Sequence, residues 1–169
     1  MNNPVEFGPH LVLMPGDVRT PAVGDRDGAG YRARETLLSQ MADSLDRAGA
    51  VKAGFLQALM DREKEFPTGL QAEGLGFAIP HADARFVNHS AICLAIPASP
   101  VPFGRMDDPS QTVPAGIIVM MAVNDPEGQL EMLQGLAGSF ADAVFWSGVR
   151  RMGSREEVAR AVGSRLFHA

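Results

Sequence analysis

Apolar residues recur at helical spacing through the first ordered third of the chain. Leu37, Leu38, Met41, Leu45 and Ala48 form one stripe, and Gly49 supplies its stop. Val51, Phe55, Leu56, Leu59 and Met60 form a second. It ends before Pro67, because proline disfavours helical geometry in the residue preceding it. The period then changes. Phe77-Ala78-Ile79, Ala91 to Ile96 and Ala115 to Val123 are apolar runs bounded by Pro, Gly, Asn or Asp, as expected of strands covered on both faces, with Val101-Pro102-Phe103 a shorter edge piece. Helical patterning returns at Asp125, an N-cap followed by Pro126 at the first helical position. Leu130, Leu133, Leu136, Ala137 and Phe140 are the apolar face there. A helix over roughly Asp142 to Met152 places Val144, Phe145 and Val149 inward. A last helix opens on Ser154 and Glu157, spaced as a capping box, and carries Val158, Ala161, Val162 and Leu166. This order predicts an α/β single-domain sandwich, a mixed sheet covered by helices on both faces.

Residues 1–30 break the pattern. Pro4, Pro9, Pro15 and Pro21, with Gly8, Gly16, Gly24, Gly28 and Gly30, predict an irregular arm in which His10 to Met14 adds one short edge strand. The domain proper is expected over residues 31–169.

Composition narrows the function classes. A chain of 169 residues with 46% hydrophobic content can bury the core of one ordinary domain. Its net charge of −5, with both signs mixed along the sequence, argues against a nucleic-acid polyanion as ligand and suits a cytoplasmic protein. The one cysteine, Cys93, excludes an internal disulfide framework and any multi-thiolate metal site. No stretch approaches the length of a membrane span, and the start lacks a signal peptide's charge and apolar block, so no direct membrane insertion is expected. No nucleotide-type glycine motif appears, and no cofactor is implied.

The chemistry concentrates at one place. A glycine-bearing turn from Thr68-Gly69 leads to Phe77-Ala78-Ile79, and Pro80 then delivers His81 at the end of the strand, where side chains reach a cleft. Imidazole is neutral and nucleophilic near pH 7, and its N–P bond transfers readily onward. An isolated Pro-His reads as a histidine satisfying hydrogen bonds at a strand end. Asp61-Arg62-Glu63 at the end of the second helix adds a guanidinium able to fold back onto phosphoryl oxygens, or else a solvated helix-end cation. Asp83 either orients the imidazole or caps a turn, the latter being preferred. His81, Asp83 and His89 match no closed zinc spacing, so no metal is assigned. His10 and His168 read as bystanders.

Three separated blocks, Asp61-Arg62-Glu63, Pro67-Thr68-Gly69-Leu70 and Ala78-Ile79-Pro80-His81, resemble the signature of the type-2 enzyme IIA domains of the bacterial phosphoenolpyruvate-dependent sugar phosphotransferase system, the fructose, mannitol and galactitol group. Leu45 to Val51, Val101 to Pro109 and Asp125 to Leu133 are similar to further family segments, so the likeness runs from about residue 31 to 163. The resemblance implies a phosphotransferase with a covalent phosphohistidine. The histidine-containing phosphocarrier protein donates to His81, which passes the group to a IIB component that serves a IIC membrane permease. His81 is then the acceptor, Arg62 a catalytic partner, and Thr68, Gln129 and Asp83 residues of the site wall.

The chain departs from the mannitol and fructose pattern at Gln129, where those domains carry a second histidine. With Met106-Asp107-Asp108-Pro109, this looks more like the galactitol branch. A glutamine amide donates a hydrogen bond but supplies no charge, and the alternative for Gln129 is a solvent-facing helix residue. The alternative function is a regulatory IIA-like domain whose His81 phosphorylation state controls binding to another protein. A non-phosphorylated interaction module of the same fold is a third reading, against which the intact signature argues.

Overall fold

The computed structural model describes residues 4–19 and 29–167. Strands β1 (Val12–Leu13), β2 (Gly69–Ala72), β3 (Leu75–Ala78), β4 (Ala91–Ala95), β5 (Val101–Gly104) and β6 (Thr112–Ala122) form one sheet. Its order is β1-β4-β6-β3-β2, with β5 paired to β6. The long β6 is the spine: its second half pairs with β4 and its first half with β5, both antiparallel, while β3 runs parallel along its other edge. β1 is parallel to β4. Both senses are present, so the sheet is mixed.

Helices α1 (Ala29–Arg47) and α2 (Phe55–Glu65) cover one face, and α3 (Pro126–Ser139), α4 (Ala143–Arg150) and α5 (Arg155–Phe167) cover the other. Strand alternation explains the division, because successive side chains point to opposite faces. Ala91, Cys93 and Ala95 of β4 face α1 and α2, with Ala78, Ala115 and Ala122 beside them. Ile92, Leu94, Phe77, Ile117, Val119 and Met121 face α3 to α5. Small side chains let α1 sit close to the sheet. On the other face Phe77 stacks on Phe140 at 3.8 Å between centroids, and Trp146 meets both edge-on at 5.7 Å. The buried Trp146 indole N–H donates to the Ser139 carbonyl at 3.0 Å.

Local signals hold up unevenly. Gly49 ends the first helical stripe with φ +74°, a conformation glycine adopts without a Cβ penalty. Val51, expected on the second helix, instead bridges to Val87, because Gly54 (φ +92°) delays the helix to Phe55. Leu70 to Ala72, expected as part of a turn, form the edge strand β2, antiparallel to β3, and the turn itself falls at Glu73-Gly74. Gly76 sits where the β3–β6 register skips Gly116, and a Cβ there would collide with the Pro114 carbonyl oxygen. Asp125 caps α3 as expected, accepting from Gly128 N–H at 2.7 Å, and the Ser154 hydroxyl accepts from Glu157 N–H at 3.2 Å.

Three assignments to the inner faces, Leu130, Ala137 and Val144, are corrected. Leu130 is 58% exposed and Val144 85% exposed. At about 100° per residue, Leu130 lies about 120° around from Leu136, and Val144 is off the face that carries Trp146 and Val149. Ala137 is also exposed. His168 lies outside the described residues. No helix among the described residues is long and apolar enough to cross a membrane.

Candidate functional site

His81 is placed by a strand end that proline cannot extend. β3 stops at Ala78, the Pro80 carbonyl accepts from Met121 N–H at 3.0 Å, and His81 bridges to Met121. The side chain therefore emerges beyond the carboxyl ends of the parallel pair β3 and β6, where open α/β sheets place their ligand crevices. It is 6% exposed.

Its ring is fixed by one bond. Nδ1 lies 2.8 Å from the Ile79 carbonyl oxygen, which can only accept, so Nδ1 carries the proton. Nε2 then holds the lone pair, and no hydrogen bond among the described residues engages it. Burial lowers the imidazole pKa below its usual value. The bond to Ile79 opposes that, nearby Arg62 lowers it further, and Asp83 raises it. The ring is neutral and nucleophilic near pH 7.

Three of the other expected residues gather around it from different elements. Arg62, in the last turn of α2, places Nη1 3.4 Å from Asp83 Oδ1. Asp83 follows His81 by two residues and also approaches Arg85 Nε at 4.0 Å. It does not cap the turn through its side chain, as preferred from sequence. The Phe86 N–H closes that turn on the Asp83 backbone carbonyl at 3.0 Å. Gln129, in the first turns of α3, reaches across 47 positions to donate to the Ala82 carbonyl at 2.8 Å, so it is not merely solvent-facing. An open groove of about 510 Å³ adjoins the Arg62–Asp83 pair, with Phe66, Arg85 and Phe86 in its walls.

Thr68 is placed differently from the rest. It is buried at 3% exposure, and its hydroxyl is committed: it donates to Glu63 Oε2 at 2.8 Å and accepts from Ile79 N–H at 3.2 Å. It therefore lies behind the histidine, against the backbone that holds it. Glu63, to which the sequence reading gave no role of its own, is the buried carboxylate behind that. The signal was present: Glu63 follows Leu59 by four and Met60 by three, so a charged residue sits on the apolar stripe of α2. His89 turns away from the site and bonds the Glu6 carboxylate at 2.6 Å.

Residues 29–164 match the family described as phosphoenolpyruvate-dependent sugar phosphotransferase system, EIIA 2. The galactitol-specific EIIA component of Escherichia coli K12 is 34% identical over 113 residues, covering 67% of this chain and 75% of that protein. The crystal structure of IIA mannitol from Escherichia coli superposes with a TM-score of 0.67 at 19% identity, covering 93% of this chain and 99% of that one. A solution structure of enzyme IIA mannitol in complex with phosphorylated enzyme IIB mannitol, also from Escherichia coli, superposes with a TM-score of 0.66 at 18% identity, covering 98% and 100%.

Proposed function

Since the chain belongs to the EIIA 2 family of the phosphoenolpyruvate-dependent sugar phosphotransferase system, we propose that it carries a phosphoryl group on Nε2 of His81 between two protein partners. The observation that carries this reading is the histidine itself. Nδ1 is tied to the Ile79 carbonyl, and Nε2 is left with its lone pair at a strand-end crevice beside Arg62.

The donor is the histidine-containing phosphocarrier protein. Nε2 attacks the phosphorus in line, the donor N–P bond breaks, and its electron pair returns to the donor imidazole. As the His81 ring takes up positive character, the Ile79 carbonyl holds the Nδ1 proton. Arg62, paired with Asp83 beforehand, turns its planar donors to the phosphoryl oxygens, which bring close to two negative charges into the site. Asp83 keeps the guanidinium near the ring, and Gln129 holds the Ala82 carbonyl next to it. The acceptor is a IIB component, a pairing supported by the solved complex of the mannitol relatives. Through it the chain serves a IIC permease from the cytoplasm. Residues 31–169 are the phosphocarrier unit, preceded by the Gly/Pro-rich segment 1–30.

The galactitol relative's coverage of two thirds of this chain favours the transport role over the regulatory one. Intact-protein mass spectrometry at alkaline pH, with phosphoenolpyruvate, enzyme I and the phosphocarrier protein, tests the reading. One phosphoryl group is expected on the wild type and none on His81→Ala. Absence of the group on the wild type with an active donor pair sinks the proposal.

A further inference from the structure

The side chains behind His81 form an unbroken relay. Glu63 Oε1 accepts the Thr68 N–H at 3.0 Å and Oε2 accepts the Thr68 hydroxyl at 2.8 Å. Both hydrogens of Thr68 are thereby drawn to one carboxylate, so the lone pairs of Oγ1 are left facing away from it. One of them receives the Ile79 N–H at 3.2 Å. The other end of the same residue, the Ile79 carbonyl, accepts the Nδ1 proton of His81 at 2.8 Å. Glu63 is 5% exposed and Thr68 3% exposed, so water does not compete for these bonds.

We propose that Glu63 is a positioning residue for phosphoryl transfer. Acting through Thr68, its carboxylate fixes the Ile79 backbone at its N–H, and the carbonyl of that same residue selects the imidazole tautomer with Nε2 free. This rests on His81 being the phosphoryl acceptor. Adjacent positions of α2 thus divide two tasks: Arg62 turns outward to the groove and Glu63 inward to the relay. A carboxylate is the group suited to the inner position because it accepts twice and donates nothing. A carboxamide offers one acceptor and two donors. Either it opposes its N–H₂ to the Thr68 N–H, or it drives the Thr68 hydroxyl round so that its hydrogen confronts the Ile79 N–H. In both cases the residue whose carbonyl holds Nδ1 loses the anchor at its N–H. Retaining an ionised carboxylate there costs stability, since burial pushes the Glu63 pKa up to about 7 against the two Thr68 bonds and the field of Arg34. A purely structural position gains nothing from that cost, and Leu59 on the same stripe shows what the packing alone accepts.

The test reads the tautomer and the rate separately, at mildly alkaline pH where Glu63 is ionised. Imidazole ¹⁵N spectra of the wild type are expected to show protonated Nδ1 and bare Nε2 on His81. In Glu63→Gln the Nε2–H form rises and the rate of phosphoryl acceptance falls roughly tenfold to hundredfold, the range seen when outer partners of liganding histidines are removed. The KM for the phosphocarrier protein stays unchanged, because the docking surface is untouched. Thr68→Val reproduces both effects and Thr68→Ser, which keeps the hydroxyl, restores them.

A folded Glu63→Gln with wild-type tautomer and rate overturns the relay, as does a wild-type His81 carrying its proton on Nε2. A wild type that accepts no phosphoryl group at all defeats the carrier reading instead, and the tautomer spectra still judge the relay. Should the Gln and Val variants fail to fold, the wild type decides. The Ile79 amide shift must follow the Glu63 carboxyl ¹³C shift through its titration, and an amide that stays fixed overturns the proposal. Tyr31, Arg34 and Glu35 of α1 and Lys64 of α2 are the other ionisable groups around the Glu63 cavity, with Arg62 and Asp83 beside His81. Following the Glu63 carbon directly separates its titration from theirs.

Discussion

Burial acts on His81 and Glu63 in opposite senses, and each leaves a signature in stability. Desolvation raises the Glu63 pKa from 4.5 to about 7 in the folded chain. The folded state therefore binds the Glu63 proton more tightly than the unfolded state, and stability falls as pH rises from about 4.5 to about 7. A shift of that size corresponds to about 3 kcal/mol once the group is fully ionised. His81 has the reverse sign. Its folded pKa is lowered, so the stability it contributes is present above the ordinary histidine pKa and is lost as pH falls from there through the lowered folded value. Urea unfolding across this range is expected to show Glu63→Gln lacking the alkaline-going decline and His81→Ala lacking the acid-going one. Parallel profiles for wild type and Glu63→Gln would mean that the carboxylate is not desolvated as its burial indicates. On the proposed carrier reading, Arg62 serves the chemistry instead. It is 39% exposed at the side chain and pairs with an exposed Asp83, so Arg62→Ala should leave the melting temperature nearly unchanged. Its phosphoryl transfer rate should drop by about a hundredfold to a thousandfold, as for removal of a donor aimed at developing charge. Equal single-turnover rates for the variant and wild type would remove Arg62 from the mechanism.

Elements differ in how plainly the chain announces them, and α3 shows both sides. Its start is explicit: Asp125 followed by Pro126, with the carboxylate accepting from Gly128 N–H. That cap also sets where Gln129 points, since the next turn aims its amide at the Ala82 carbonyl. Asp125→Ala should cost about 1 kcal/mol and loosen Gln129, seen as faster exchange of its side-chain amide protons. A variant with unchanged stability and exchange would show that Pro126 and packing suffice to place the helix. The inner face of α3 was less legible, because its leucines and alanines spread round the helix and packing against Phe77 and Trp146 chooses Leu136 and Phe140 over Leu130. Strands covered on both faces were readable as apolar runs in β4 and β6. β2 was not, since an edge strand shows one side to water and Gly69 and Gly74 mimic a loop. At the site, His81 and Arg62 were visible as residue types at telling spacings, and Gln129 only through the family resemblance. The buried pairing of Glu63 with Thr68 was not, because sequence does not say which polar groups share a dry interior.

At the scale of the whole molecule, the N-terminal segment is part of both cores rather than an appendage. Leu11 and Leu13 join the core beneath α1 and α2, while Val12 joins the core beneath α3 to α5. The backbone is stitched to β4 as well: Glu6 N–H donates to Ser90 O at 2.8 Å, and Ile92 N–H donates to Glu6 O at 3.1 Å. The Glu6 carboxylate joins His10 at 2.9 Å and His89 at 2.6 Å, and Arg155 Nε of α5 reaches Asp17 at 3.1 Å. β1 thus closes an edge of the sheet that β4 would otherwise present unpaired, a template for association with other chains. Burying three aliphatic side chains contributes about 6 kcal/mol by transfer arithmetic, which is an upper bound. That is comparable to the entire stability of an ordinary domain, about 5 to 15 kcal/mol. A chain beginning at Tyr31 retains every residue of the proposed phosphoryl site, yet should unfold at a much lower urea concentration and associate through β4. Sedimentation and urea titration of the truncated chain against the full one measure both effects. If the short chain stays monomeric with the full chain's midpoint, the segment is dispensable and the two cores close without it.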